Sequence, residues 1–200
     1  MMEGVSAYTI AQSEKMMGDE ALAVFIQSFS CSKNLEVEGF LKSKARQSER
    51  MSSSVTYLVW GDRHPELLGY FTLTAKAYSV KGAQLNSANR RLVERFAEVD
   101  ENGFFNAAVY LIAQIGKNFA IEDSERISGD ELLRLAFEKL YAAREIVGGK
   151  LVLVERDMKS PELVNFYTRW NFRSWNERHD GKDGVDYDQM LCVLSNALVA

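Results

Sequence analysis

The feature that most constrains the fold is a change of hydrophobic period in the second half of the chain. A nearly continuous apolar run over residues 107–115 is typical of a strand that is buried on both faces. After a polar loop, residues 129–146 carry apolar side chains at helical spacing, and a glycine pair ends this helix. Residues 151–155 then have the composition of a short buried strand. This strand–helix–strand order predicts helices packed on a sheet.

The rest of the chain shows the same two periods. Alternating or β-branched runs predict strands at residues 5–10, 55–60, 67–80, 172–177 and 186–194, with the second and third forming an antiparallel hairpin. Helical spacing predicts helices at residues 19–29, 34–51, 85–99 and 161–170. The sequence therefore predicts an α/β (α+β) fold, in which a mixed sheet carries helices on both faces, and a single domain that spans residues 1–200.

Charge limits the classes of partner. The 24 Lys and Arg residues against 28 Asp and Glu residues give a net charge of −4, which provides no global positive field for a polyanion. The charge is also uneven, because residues 42–50 are rich in Lys and Arg whereas residues 118–131 and 177–188 are rich in acids. A nucleic-acid partner is therefore disfavoured. No apolar run approaches the roughly 18 residues of a membrane span, so no membrane partner is expected.

The cysteines and histidines show no metal-binding pattern. Cys31 and Cys192 lie far apart, without a CxxC motif or a nearby histidine pair, so we expect two reduced, partly buried thiols and no metal. His64 and His179 lie in turn-rich stretches and are expected to be solvated. The N-terminus has no basic segment followed by an apolar core, which predicts a cytoplasmic protein.

The junction before the long helix is the place where an anion could bind. A helix N-terminus presents unpaired N–H groups to an anion. Here Ser128 and Glu131 have the spacing of a capping box, and capping boxes also open many helices that bind nothing. The residues of this junction therefore favour a purely structural role when taken alone.

Two motifs in combination resemble a known family. Arg126 and Gly129, between a buried strand and an amphipathic helix, are similar to the pyrophosphate-binding signature of the GCN5-related N-acetyltransferases (GNAT). Downstream, Phe166, Tyr167 and Phe172 fall at the spacing of that family's next helix. Asn171 stands where the family has glycine, and asparagine also tolerates a left-handed helix cap.

A narrower resemblance lies upstream, in residues 29–45, 56–58 and 68–73. These segments are similar to the branch of the family that includes the toxins of toxin–antitoxin pairs, which acetylate the amino group of aminoacyl-tRNA. The same pattern occurs in branch members with no known toxin role. The resemblance thus indicates a subfamily and leaves the substrate open.

The resemblance implies a site for acetyl-coenzyme A (acetyl-CoA) in a V-shaped split between the fourth and fifth strands. The pantetheine arm would pair with the backbone of Ile115, Gly116 and Lys117. Arg126 and the N–H groups at the start of the long helix would hold the pyrophosphate, and Ser160 belongs to the same implied cofactor set. The helix-start residues are Ile127, Ser128, Gly129, Asp130 and Glu131.

The implied reaction is direct attack of a primary amine on the thioester, with an unidentified acceptor. Tyr167 corresponds to the family's acid for the leaving thiolate, since phenol and thiol pKa values lie within a couple of units. The base is not identified by the resemblance. Glu155, at the end of the fifth strand, is a candidate that would act through water, and a simple surface role fits it equally well.

Departures from the family pattern keep other functions open. Glu131 replaces a small residue of the signature, and acids crowd the loop, although Lys117, Arg126 and Arg134 offset their charge. One alternative is toxin-type acetylation of aminoacyl-tRNA, for which the basic residues Lys42, Lys44, Arg46 and Arg50, with Lys33 near them, would supply a patch. Another is a non-catalytic module that binds acyl-CoA weakly or not at all. A homodimer is compatible with the fold.

Overall fold

Strands and helices interleave along the part of the chain that the computed structural model describes, which is residues 4–62, 66–180 and 184–195. The strands are β1 (Val5–Thr9), β2 (Val55–Gly61), β3 (Leu67–Lys81), β4 (Glu98–Val99), β5 (Phe104–Lys117), β6 (Leu151–Asp157), β7 (Arg173–Asp180) and β8 (Val185–Val193). The helices are α1 (Ile10–Met17), α2 (Asp19–Ser28), α3 (Leu35–Ser43), α4 (Ala45–Arg50), α5 (Ser87–Val93), α6 (Gly129–Val147) and α7 (Glu162–Arg169).

The strands form one mixed, mostly antiparallel sheet. Their order is β1-β2-β3-β5-β6-β8-β7, and β4 pairs with β5 outside this path. β5 and β6 run parallel, whereas β1–β2, β2–β3, β4–β5, β6–β8 and β7–β8 are antiparallel. The predicted fold class is thereby confirmed.

The predicted fourth and fifth strands are β5 and β6, because the two-residue β4 precedes them. Their parallel register runs from the pair Val109–Leu151 to the pair Ile112–Val154. Both strands continue beyond the last pair, β5 to Lys117 and β6 to Asp157. The pairing therefore ends before the strands do.

The chain divides into two compact units. Unit 1 comprises Met1–Thr74 and Ala113–Lys139, and unit 2 comprises Ala75–Ile112 and Leu140–Ala200. Unit 1 has a core of buried side chains from α2, α3, β2 and β3, including Leu22, Phe29, Leu41, Leu58 and Tyr70. The single-domain boundary of 1–200 stays a prediction.

Unit 2 has its own core, built from α5, β5, β6, β7, β8 and the second half of β3. It includes Val80, Phe105, Val109, Leu153 and Trp175. Apolar side chains at alternate strand positions supply most of this core, as period-two burial requires. No described helix combines the length and the apolar composition that crossing a membrane requires.

Local differences from the sequence prediction have identifiable causes. The predicted strand over residues 5–10 ends at Thr9, which caps the unpredicted helix α1 by accepting a hydrogen bond from the N–H of Gln12. The predicted helix over residues 34–51 breaks at Lys44, whose φ of −120° is not helical. Of the helix predicted over residues 85–99, only α5 is helical, and the last two residues of the predicted range form β4.

The cysteines are both free thiols and are fully buried rather than partly buried. Burial raises the pKa of Cys31 and of Cys192, so both stay protonated at neutral pH. His179 lies in β7 rather than in a loop, and its exposed ring contacts Asp186 at 2.7 Å. The prediction for His64 lies outside the described residues.

Candidate active site

The end of β5 packs closely against α3, and this close approach requires a glycine at position 116. A Cβ on Gly116 would lie 2.5 Å from Cγ1 of Val37, which is closer than side-chain contacts allow. A Cβ on Gly69 would likewise lie 2.8 Å from the carbonyl oxygen of Gly116. Gly116 is therefore required by packing, and the predicted edge residues Ile115 and Lys117 flank it on β5.

Asn118 fastens the loop that leaves β5. Its side chain is buried, its Oδ1 accepts from the N–H of Ser30 and of Ala120 at 3.0 Å each, and its Nδ2 donates to the carbonyl of Leu67 at 2.8 Å. Its own N–H donates to Leu68 at 2.8 Å. The sequence pattern did not single out this residue, because its partners are far away along the chain.

Replacement of Asn118 by alanine removes three side-chain hydrogen bonds, one buried and two partly buried, and leaves their partners unsatisfied. We expect Asn118→Ala to lower the free energy of unfolding by about 2–3 kcal/mol, measured by urea denaturation. Asn106→Ala is a matched control, because Asn106 is exposed and its side-chain contacts are 3.4 Å long. Equal losses in the two variants would contradict the fastening role.

Arg126 folds back onto its own loop. Its Nη2 donates to the carbonyl of Ile121 at 2.7 Å and its Nη1 to the carboxylate of Asp123. Its Nε is buried and has no hydrogen-bond partner among the described residues. A buried donor without a partner is costly, so this atom marks a place where an anion or another acceptor would be stabilised.

Three cationic groups gather around the ring of Phe119. The guanidinium of Arg126 lies 4.7 Å from the ring centroid, and the ammonium groups of Lys33 and Lys117 lie 5.5 and 5.6 Å from it. We call Lys33, Lys117 and Arg126 the Phe119 cation cluster. No acid within the described ranges forms an ion pair with Lys33 or Lys117. The cluster thus offers positive charge at the end of β5 and just before α6.

The capping box at the start of α6 is formed as predicted. The N–H of Glu131 donates to Oγ of Ser128 at 3.1 Å, and the N–H of Ser128 donates to the Glu131 carboxylate at 2.8 Å. Two of the backbone donors predicted for pyrophosphate are therefore in use within the box. The N–H groups of Gly129 and Asp130 take no part in it. The side chain of Ile127 is buried, so only its backbone is available for a ligand.

The acidic side chains of this loop are mostly turned to solvent. Glu122, Asp123, Glu125 and Asp130 are exposed, and Asp123 pairs with Arg126. Arg134, predicted to offset the acids, pairs instead with Glu138 one helical turn later. The offsetting charge at the loop therefore comes from the Phe119 cation cluster.

Unit 2 holds the other three predicted site residues, Tyr167, Glu155 and Ser160. Tyr167 is buried on α7, with ring contacts to Phe166 and Phe172, and its hydroxyl makes no hydrogen bond to any described residue. Burial raises the pKa of Tyr167 to about 12, because the phenolate would lose its hydration. Ser160 lies in the turn before α7, where its N–H donates to the carbonyl of Asp157.

The helix cap that orients this segment agrees with the sequence prediction. Asn171 has a φ of +61°, in the left-handed region where the family has glycine. The N–H of Phe172 then donates to the carbonyl of Tyr167 at 3.1 Å and closes the helix end. The aromatic residues of the motif are therefore packed against one another by the cap.

Glu155 is held in an ion pair that the sequence did not predict. Its Oε1 and Oε2 accept from Nε and Nη2 of Arg178 at 3.0 and 3.1 Å, and Oε1 also accepts from Gln189 at 2.7 Å. Gln189 in turn accepts from the hydroxyl of Tyr78 at 2.9 Å. The Glu155 carboxylate is thus held by a two-bond ion pair, and its role as base stays a prediction.

Strand register explains which residues sequence reasoning missed. Glu155 faces Gln189 across β6 and β8, and Asn176 faces Gln189 across β8 and β7. These side chains meet because the strands are neighbours, which a single sequence does not reveal. Burial along β8 gives no alternation that would single out Gln189, since the five residues from Asp188 to Cys192 are all buried. Within the described segments, no group of three or more His, Cys, Asp or Glu side chains is arranged to hold a metal.

No family model matches the sequence, and no curated protein gives a significant match. Solved structures do match. A bacterial toxin superposes with a TM-score of 0.65 at 18% identity, over 94% of this chain and 90% of the toxin. AtaT complexed with acetyl-methionyl-tRNAfMet superposes with a TM-score of 0.61 at 14% identity, over 92% of this chain and 93% of the AtaT chain. AtaTR bound with acetyl-CoA superposes with a TM-score of 0.57 at 14% identity, over 94% of each of the two chains. This chain therefore has the fold of these solved structures, which confirms the predicted GNAT fold.

Proposed function

We propose that the chain is an acetyl-CoA-dependent N-acetyltransferase that acts on a primary amine. The observation that carries the proposal is the Phe119 cation cluster, which lies in unit 1 beside the end of β5 and just before α6. A multiply charged pyrophosphate needs such a group of cations and backbone donors. Similar solved structures hold acetyl-CoA or an acetylated tRNA, which supports the choice of reaction.

The residues present fit the anionic part of acetyl-CoA. Donors and charge come from the Nε of Arg126, which has no hydrogen-bond partner among the described residues, and from the Lys33 and Lys117 ammonium groups, which form no ion pair with them. The backbone of Ile115, Gly116 and Lys117 would hold the pantetheine amides. Glu131 opposes this fit, because its carboxylate sits at the helix N-terminus that the phosphates would use.

When bound, acetyl-CoA supplies an activated thioester, whose carbonyl carbon bonds to the amine nitrogen as the carbon–sulfur bond breaks. Tyr167 holds a proton at its hydroxyl over the whole physiological pH range and donates a hydrogen bond to the departing thiolate. With its pKa near 12 against about 8.5 for a free thiol, the proton rests on the phenol at equilibrium. Tyr167 therefore acts chiefly as a hydrogen-bond donor that stabilises the developing negative charge on sulfur.

Glu155 is the proposed proton acceptor for the attacking ammonium, acting through water. Arg178 and Gln189 hold its carboxylate in one orientation. An assay of acetyl transfer to a panel of primary amines, with thiol release as the readout, tests the proposed reaction. Acetyl-CoA-dependent thiol release that requires the amine supports it, and release at the same rate without any amine contradicts it.

Substitution of Glu131 by glutamine tests whether its charge competes with phosphate. Glutamine keeps an acceptor for the N–H of Ser128 but removes the negative charge. We expect Glu131→Gln to tighten acetyl-CoA binding by about two- to fivefold in calorimetric titration. Glu125→Gln, at an exposed position of the same loop, is the matched control. Weaker binding by Glu131→Gln would show that the carboxylate helps rather than competes.

A second candidate function is acetylation of aminoacyl-tRNA, favoured by the likeness to AtaT complexed with an acetylated tRNA. The proposed basic patch is smaller than its sequence suggests, because Lys42 pairs with Glu38 and Arg46 pairs with Glu14 and Asp19. Lys44 and Arg50 remain without ion pairs among the described residues.

The tRNA function requires binding that depends on those charges. Charged tRNA should shift in a gel at low salt, and the shift should disappear at moderate salt. Lys44→Ala combined with Arg50→Ala should weaken the shift, whereas Lys15→Ala combined with Lys76→Ala, which removes the same charge elsewhere, should not. An unshifted tRNA at low salt would exclude this function.

A further inference from the structure

Unit 2 contains an open cavity of about 570 Å³ that includes none of the predicted site residues. This volume is within the range of small-molecule sites. Four cationic side chains line the cavity, namely Arg95, Arg144, Lys150 and Arg173. No acidic side chain is among the residues that line it, all of which the structure describes. In a chain with a net charge of −4, these four cations give the cavity a local positive charge, which Glu145, the ion-pair partner of Arg144, offsets only in part.

Structural roles account for only part of this charge. Arg144 lies in the last turn of α6, where a cation offsets the helix dipole, and it pairs with Glu145. Lys150 lies just before β6 and Arg173 begins β7, so both lie outside the last turns of α6 and α7. Both are exposed, and neither forms an ion pair with any acid in the described segments. Their charge is therefore available to a ligand.

The remaining walls of the cavity are apolar or neutral. Leu92 and Phe96, from the end of α5 and just after it, supply apolar surface, and the guanidinium of Arg95 lies 5.5 Å from the centroid of the Phe96 ring. Asn171 and Ser195 supply neutral hydrogen-bonding groups. The cavity thus combines a cationic part with an apolar part and a few neutral polar groups.

We propose that this cavity binds a nucleoside polyphosphate, with its phosphates on the cations and its base against the apolar wall. Arginine and lysine are the side chains that recognise phosphate, and arginine does so with two parallel hydrogen bonds. The flat face of a base suits an apolar wall, while sugar hydroxyls suit neutral donors and acceptors. The cavity lies within unit 2, and the binding does not depend on the proposed acetyl transfer.

ATP is the probe for a calorimetric titration. We expect saturable ATP binding and weaker binding of inorganic triphosphate. Absence of saturable ATP binding up to millimolar concentration, or triphosphate binding as tight as ATP, would overturn the proposal.

A paired set of variants tests whether the cavity carries this binding. Lys150→Ala combined with Arg173→Ala should weaken ATP binding at least tenfold, because two charge-assisted contacts are lost. Lys76→Ala combined with Lys81→Ala removes the same charge from exposed positions of β3 and should change the affinity less than twofold. Equal losses in the two pairs would overturn the proposal. Arg95→Ala, with an expected loss of at least fivefold, gives a second readout if the first pair folds poorly.

Discussion

Tyr167→Phe should lower kcat for acetyl transfer by roughly 100-fold or more, while the dissociation constant for acetyl-CoA stays within about twofold. The substitution removes only the hydroxyl, which makes no hydrogen bond to any described residue. The ring contacts with Phe166 and Phe172 stay in place. Loss of rate without loss of binding is therefore the signature of a donor to the leaving sulfur.

The pH dependence gives an independent readout for the same residue. Because burial raises the pKa of Tyr167 to about 12, its donor form is fully populated up to about pH 10 and is lost only as the pH rises through 12. Deprotonation of Tyr167 should therefore not lower the wild-type rate below about pH 10. Up to that pH, the pH profiles of the wild type and of Tyr167→Phe should have the same shape. Tyr8→Phe is the matched control, because it removes a hydroxyl without a hydrogen bond to a described residue. An unchanged rate in Tyr167→Phe would remove Tyr167 from the mechanism.

Asp188→Ala should lower the free energy of unfolding by about 3–5 kcal/mol. The Asp188 carboxylate accepts from Nη2 and Nε of Arg156 at 2.9 and 3.1 Å and from the hydroxyl of Ser174 at 2.8 Å. The side chains of Arg156 and Asp188 are only 9% and 6% exposed. Alanine leaves the guanidinium buried without its counter-ion, which is the costly arrangement.

Two further variants separate the cost of a lone buried charge from general damage to β8. Asp186→Ala, on the same strand, removes an exposed carboxylate and should cost less than about 1 kcal/mol in urea denaturation. Arg156→Met combined with Asp188→Leu removes both charges and should recover most of the loss. Equal losses for Asp188→Ala and Asp186→Ala would contradict the account.

Sequence periodicity predicted the elements whose signal is local. The apolar stripe of α6, the apolar run of β5 and the capping box of Ser128 and Glu131 all lie where the residue pattern places them. Periodicity missed the break between α3 and α4 at Lys44. The apolar stripe continues from one helix into the next, although the backbone at Lys44 is not helical. The spacing of apolar residues does not reveal a helix break that is made by one residue with a non-helical φ.

The candidate site combines residues with local partners and residues with distant ones. Arg126 and Tyr167, which the motifs single out, contact neighbours in their own segments, whereas partners of Phe119 and Glu155 come from elsewhere in the chain. Lys33 reaches Phe119 from the loop between α2 and α3, and Arg178 on β7 reaches Glu155 on β6 across the intervening β8. These contacts depend on strand order and loop placement, which propensity and spacing do not contain.

Calorimetric titration with acetyl-CoA tests the central claim most directly. The account predicts saturable binding, weakened about tenfold by Lys33→Ala combined with Lys117→Ala and unchanged by Lys44→Ala combined with Arg50→Ala. Both pairs remove two cations from unit 1, but only the first pair belongs to the Phe119 cation cluster. No heat and no thermal shift at millimolar acetyl-CoA would contradict both catalytic proposals and leave a non-catalytic module with this fold.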